Sequence, residues 1–250
     1  MTFDLDSAAA ARRDQALAVA REVVGPAAAA IDATGTVPDG VREAMRTILP
    51  AALAASPIDW VIAIEAVATV SPAMALVAAG EAVGAPAVAA PAQWTGLHGV
   101  DVDGLRGTLG DDAAWQLAVS ATLVGAARAA VEAGVRALKA AKDAGRASDA
   151  GQPLVADAAT AVDASRLLLW DAARYVAASE AGALARGLAR AHLLESVTLA
   201  WHAAERACGA ELFRPGTPLE RVRRDGLTVA QVLGDPSAAL DAVAAGTLPA

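Results

Sequence analysis

A single cysteine, Cys208, in 250 residues excludes a disulfide framework and a metal cage built from thiolates. Histidine is almost as scarce. His98, His192 and His202 are the only three, so a zinc site of convergent ligands has little to draw on. The Glu-x-x-His pairs of a di-iron bundle are missing. His192 with Glu195, and His202 with Glu205, run in the reverse order and read as charge pairs on helix surfaces. Aromatics make up 3% of the chain, against 56% hydrophobic residues overall. The expected core is therefore one of small aliphatic side chains, which lets helices approach closely. There is no Gly-rich phosphate loop and no serine in a nucleophile elbow. Ser165, Ser179 and Ser196 fall in helical pattern and read as structural.

Positive charge is in deficit too. The formal net charge is −8 and the isoelectric point about 4.9. Such a chain repels phosphate backbones, which argues against a nucleic-acid partner. Any anionic ligand needs a local basic cluster instead. The mean hydropathy of +0.42 is inflated by alanine. The apolar stretch between Glu65 and Glu81 is interrupted by Pro72 and falls short of the roughly 20 residues of a spanning helix. Asp4 and Asp6 sit where a secretory signal would be basic. The expectation is a soluble, cytoplasmic protein with no membrane association.

What the chain does have is alanine and helical periodicity almost throughout. A first helix is expected from Ser7 to Val24, capped by Asp6 or Ser7 and broken or kinked at Gly25-Pro26. A short helical stretch then leads to Ile31, and a loop covers Asp32 to Pro38. Further helices are expected from Asp39 to Ala55, after Ser56-Pro57, and after Ser71-Pro72. The pattern stops between Ala85 and Gly110, with a brief alternation at Gly99 to Gly104 that reads as a short strand or turn. A long helix follows Asp111-Asp112 as far as Ala144. Others run from Pro153 to Ser179 and from about Glu180 to Cys208. A short helix near Pro218 to Arg224 and two short pieces close the chain. The fold class is all-α: an N-terminal helical domain (1–84), a short connector (85–110) and a C-terminal antiparallel helical bundle (111–250).

Basic residues concentrate at Arg214, Arg221, Arg223 and Arg224. They could bind an anion, or pair with Glu211, Glu220 and Asp225 nearby. Trp170, Tyr175 and Trp201 read as core or interface anchors. Trp94 and Trp115 flank the connector and read as covers for a helix face.

Several stretches in order resemble the acyl-CoA dehydrogenase family. They are Arg21 to Pro26 followed by Asp32 and Pro38, Ile62 to Glu65 leading into Val70 to Val77, Gly125 to Glu132, Gln152 to Leu168, and Pro218 to Asp225. The resemblance implies N-terminal helices joined to a C-terminal bundle, FAD as cofactor, and assembly through the C-terminal helices. It also exposes departures. The family's β-domain has only Ala85 to Gly110 in its place. Its Arg-x-x-Phe-Gly segment falls on Ala141 to Gly145, where Gly145 alone survives. Its glutamine and Gly-Gly-x-Gly turn fall on Arg206 and on Gly209 to Leu212, where Gly209 alone survives and Glu211 would repel a pyrophosphate. The two family positions for the catalytic glutamate fall on Leu233 and near Trp115, neither of which can take a proton. Asp112 and Asp235 lie close by in sequence without being placed on a substrate. The run from Arg214 to Pro236 is closer to divergent branches, including flavin-dependent monooxygenase relatives that lack that glutamate.

The resemblance thus implies no catalytic residue here. It implies a cofactor-binding set of Gly145, Gly209, Arg221 and Arg224. The expected function is a degenerate subunit that partners a full-length acyl-CoA dehydrogenase-like chain, as a homo- or hetero-oligomer, with FAD held only in the complex or not at all. Small residues at Ala177, Ala178, Ala181 and Ala185 suit close packing against such a partner, although biased composition explains them equally well. One alternative is a flavin-free binding protein for an acyl or other apolar ligand, in a groove beside residues 85–110. Another is a flavin-dependent oxidoreductase with non-standard contacts.

Overall fold

A computed structural model describes residues 5–49, 56–83, 112–146, 151–175 and 180–247. The connector, with its Gly99 to Gly104 alternation, Trp94 and His98, lies outside these residues. So do Ser179, Ala177 and Ala178. Every element among the described residues is helical and none is a strand.

Asp6 opens α1 (Ser7–Val19) by accepting the Ala9 amide at 2.7 Å. Of the break or kink expected at Gly25-Pro26, the break does not occur. The chain passes through one π-helical turn (Ala20–Val24) straight into α2 (Gly25–Thr34). Pro26 has no amide proton and crowds the preceding turn, and a wider turn just before it absorbs both defects without ending the helix. Consequently Asp32 sits in the last turn of α2, not in a loop. The helix stops at Gly35, whose φ is 67°.

α3 (Asp39–Ile48) is amphipathic and buries Val41 and Met45. α4 (Pro57–Ala68) is buried from Asp59 to Ala68, and α5 (Pro72–Val83) follows after a tight turn in which Ser71 Oγ accepts the Met74 amide at 3.3 Å. α6 (Ala113–Asp143) is the axial helix, opened by Asp112 accepting the Trp115 amide at 2.9 Å. It is long and apolar enough to cross a membrane, yet most of its apolar window lies inside the fold. α7 (Gly151–Ala173) and α8 (Glu180–Cys208) pack against α6 and each other. α7 stops short of the expected Ser179, ending in a turn at Arg174 and Tyr175. A 3₁₀ turn (Gly209–Phe213) leads to α9 (Pro218–Leu233), and α10 (Pro236–Thr247) lies on α8. α9 runs well past Arg224. Gly226 permits this, because there the helix meets Ala126 of α6 so closely that a Cβ would stand 3.0 Å from the alanine methyl.

One hydrophobic cluster spans both halves of the chain, from Val24 and Met45 through Trp60, Ile64, Leu117 and Leu123 to Leu193 and Val229. The N-terminal helices therefore share their core with the C-terminal bundle. Trp115, Trp170 and Trp201 are core residues, whereas Tyr175 is exposed.

The closest approach is where α4 crosses α6. A Cβ on Gly125 would collide with the Glu65 carbonyl oxygen and stand 2.6 Å from the Ala68 methyl. That crossing carries Glu65, only 2% exposed, into the interior. Arg128 of α6 pairs with it, and Arg166 of α7 approaches at 3.3 Å while covering the Trp170 ring at 4.4 Å. Gly125→Ala is expected to destabilise the protein by about 1–3 kcal/mol, because neither backbone can withdraw. Gly40→Ala, with nothing near the added carbon, is expected to be neutral or to stabilise by roughly 0.5 kcal/mol. Urea denaturation of the two variants measures both.

Candidate functional site: a cleft at the N-terminus of α9

Five pieces of chain converge where α9 begins. The π turn supplies Arg21, and the α4–α5 turn supplies Thr69 and Val70. α6 supplies Ala129, Glu132 and Arg136, spaced to share one face. The 3₁₀ turn supplies Glu211, and the start of α9 supplies Leu219, Arg221 and Val222. Together they line a cleft of about 530 Å³.

The electrostatics are uneven. Glu132 lies between Arg128 and Arg136, at 3.7 Å from each, and Glu211 pairs with Arg214. Both acids are thus matched. Arg221 is not. It is 7% exposed, its Nη1 donates to the Gly216 carbonyl at 2.7 Å, and its buried Nε has no acceptor. It forms no ion pair among the described residues. Arg21 is exposed at the rim and also forms no ion pair among them.

Arg224, one turn further on, is in a different state. It reaches Asp32 of α2 at 2.6 Å, Glu220 at 3.3 Å and Asp225 at 3.4 Å. Burial alone would push its guanidinium down, but Asp225, Asp32 and Glu220 outweigh that and hold it above its ordinary value. Arg223 pairs with Glu205 at 3.0 Å and lies over the Phe213 ring at 4.6 Å. The basic run therefore does form ion pairs with its acidic neighbours at Arg214 and Arg224, whereas Arg223 pairs with Glu205 of α8. Arg221 is the exception.

The four residues implied as a flavin site are not brought together. Gly145 has φ 67° and closes α6: its amide reaches the Lys142 carbonyl at 2.9 Å, and the Arg146 amide reaches Ala141 at 2.8 Å. Gly209 has φ 58° at the end of α8. Neither lines the cleft that contains Arg221. A flavin pyrophosphate needs cations that are still free, and Arg224 is already matched by three carboxylates. As a single site the four do not fit a flavin, because Gly145, Gly209 and Arg224 do not line the cleft that Arg221 lines.

His192 does not pair with Glu195, and Glu205 is taken by Arg223 and not by His202. On an exposed face such pairs gain little, whereas His192 points inward. Its Nδ1 lies 2.8 Å from Ser165 Oγ and 3.1 Å from Ser196 Oγ. Ser165 is fully buried, and the hydroxyls also bond the Ala161 and His192 carbonyls. Nδ1 faces serines and, among the described residues, no carboxylate orients the ring through Nε2, so the cluster ties α7 to α8 without the geometry of a catalytic triad. Periodicity placed both serines on helices, but only the packing of α7 on α8 reveals the shared histidine. Among the described residues no group of His, Cys, Asp and Glu is placed to hold a metal ion.

Two outcomes follow from these charges. Arg224→Met removes the cation that Asp32, Glu220 and the 3% exposed Asp225 share, and is expected to lower stability by about 2–4 kcal/mol in urea denaturation at pH 7. Burial pushes the Cys208 thiol up, and Arg136 offsets only part of that. Iodoacetamide at pH 8 is expected to label Cys208 more slowly than free cysteine, and Arg136→Gln to slow it further. Mass spectrometry of timed samples reads both rates.

No protein-family model matches the chain, and no curated protein matches it.

Proposed function

We propose that this chain is an acyl-CoA dehydrogenase-like helical protein without a flavin site of its own, and that it serves as the degenerate subunit of a complex with a full-length flavin-dependent relative. The observation that carries this reading is the state of Arg224. Arg224, one of the arginines that could replace the family's lost pyrophosphate contacts, is bound to Asp32, Glu220 and Asp225. Its charge is used to hold α2 against α9, a structural role that keeps the helical frame after the chemistry has gone. Leu233 and Trp115, at the positions of the family's catalytic base, are core residues. Neither position carries an acid–base group.

The exposed face of α8 adds support. Ala181 and Leu188 are exposed there, on one of the C-terminal helices through which the resemblance places subunit contacts. Ala185 instead packs partly against the core. The alternative groove for an acyl ligand, beside residues 85–110, lies outside the described residues.

The test is a visible absorption spectrum of the purified chain, alone and after co-expression with a neighbouring dehydrogenase-like gene. The expected result is a colourless chain alone that co-purifies in a yellow complex. Flavin bound to the isolated chain sinks the reading, and so does purification without any partner after co-expression.

A further inference from the structure

From the cleft at the start of α9 we infer a binding site for a small aliphatic carboxylate. The inference is independent of the subunit reading: it concerns this chain alone and stands whether or not a flavin-bearing partner exists.

Arg221 is the first reason. A guanidinium more than nine-tenths buried normally has a carboxylate or a full set of acceptors. This one has a single carbonyl and an orphaned Nε. Asp32 and Asp225, which line a second, small cavity with Arg221, are engaged by Arg224. A buried charge left in this state is compensated if an anion occupies the cleft it lines.

The helix end is the second. Pro218 has no amide, and Thr217 Oγ1 accepts the Glu220 amide at 3.3 Å. The Leu219 amide belongs to the first turn, where intrahelical acceptors are lacking. The sixteen residues of α9 direct their positive dipole end toward the same place.

Charge and shape then select among anions. Glu132 and Glu211 line the cleft beside Arg21, Arg136 and Arg221. A phosphate dianion brings more negative charge against those two glutamates than a single carboxylate does. Val70, Ala129, Leu219 and Val222 provide an apolar wall, and a volume of about 530 Å³ exceeds what a bare ion needs. The ligand class is therefore a carboxylate head on Arg221 and Arg21, with an aliphatic tail of several carbons along that wall.

Nitrogen–proton correlation spectra of the full chain, titrated with sodium hexanoate, test this. Saturable shifts are expected at Thr69, Val70 and Leu219 to Val222. The dissociation constant is expected to rise about tenfold in Arg221→Met and about threefold in Arg21→Ala. The second variant changes an exposed side chain and so isolates binding from folding. Hexanol, which lacks the charge, is expected not to saturate. Absence of saturation by hexanoate overturns the inference, as does an unchanged constant in Arg21→Ala or equal binding of hexanol. Tighter saturation by inorganic phosphate overturns the carboxylate assignment.

Discussion

The crossing of α4 over α6 is the contact on which the remaining geometry depends. Gly125 lets the two backbones approach until the Glu65 carbonyl and the Ala68 methyl fill the space of its missing side chain. This closeness has an electrostatic consequence, because Glu65 comes inside with its carboxylate. A lone buried carboxylate is several kcal/mol unfavourable, of the order that desolvating an ion entails. Arg128 and Arg166 answer it from two other helices. Their attraction offsets the desolvation more than it adds stability. What the cluster does contribute is register, since α4, α6 and α7 can meet in few ways that bring one acid and two guanidinium groups together.

A second cluster of the same kind joins α2 to α9. Asp32, displaced into α2 by the unbroken passage through the π turn, reaches Arg224 across 192 residues of sequence. Glu220 and Asp225 complete that cluster from α9 itself. With Arg224 absorbing these carboxylates, Arg221 one turn earlier is left with a backbone carbonyl. The cleft and its unmatched charge are thus a by-product of how α2 is fastened to α9. Position along one helix separates an arginine that holds the fold from one that faces a cavity.

These two clusters also frame the functional reading. In the proposed subunit reading, Arg224 uses its charge inside the fold while the exposed face of α8 is offered to another subunit. The cleft does not compete with that role. It lies at the junction of the π turn, α6 and α9, whereas the exposed alanine and leucine of α8 lie on a separate element. Ligand occupancy and subunit association can therefore be read separately.

Much of this was legible from the residues in order. Alanine-rich 3.6-residue periodicity, Asp6 and Asp112 as caps, and Pro57 and Pro72 at helix starts determined an all-α chain and the ends of most helices, because capping and backbone restriction act within a few residues. The break expected at Gly25-Pro26 and the helix end expected near Arg224, just before Gly226, are both missing for a related reason. Glycine and proline usually punctuate helices, but a π turn absorbs the first pair and a close helix crossing occupies the second, and both depend on neighbours distant in sequence. Arg221 and Arg224 look alike in the chain. Only the tertiary structure decided that one meets three carboxylates and the other an open cleft, since pairing a buried charge depends on which distant groups the packed helices bring within reach.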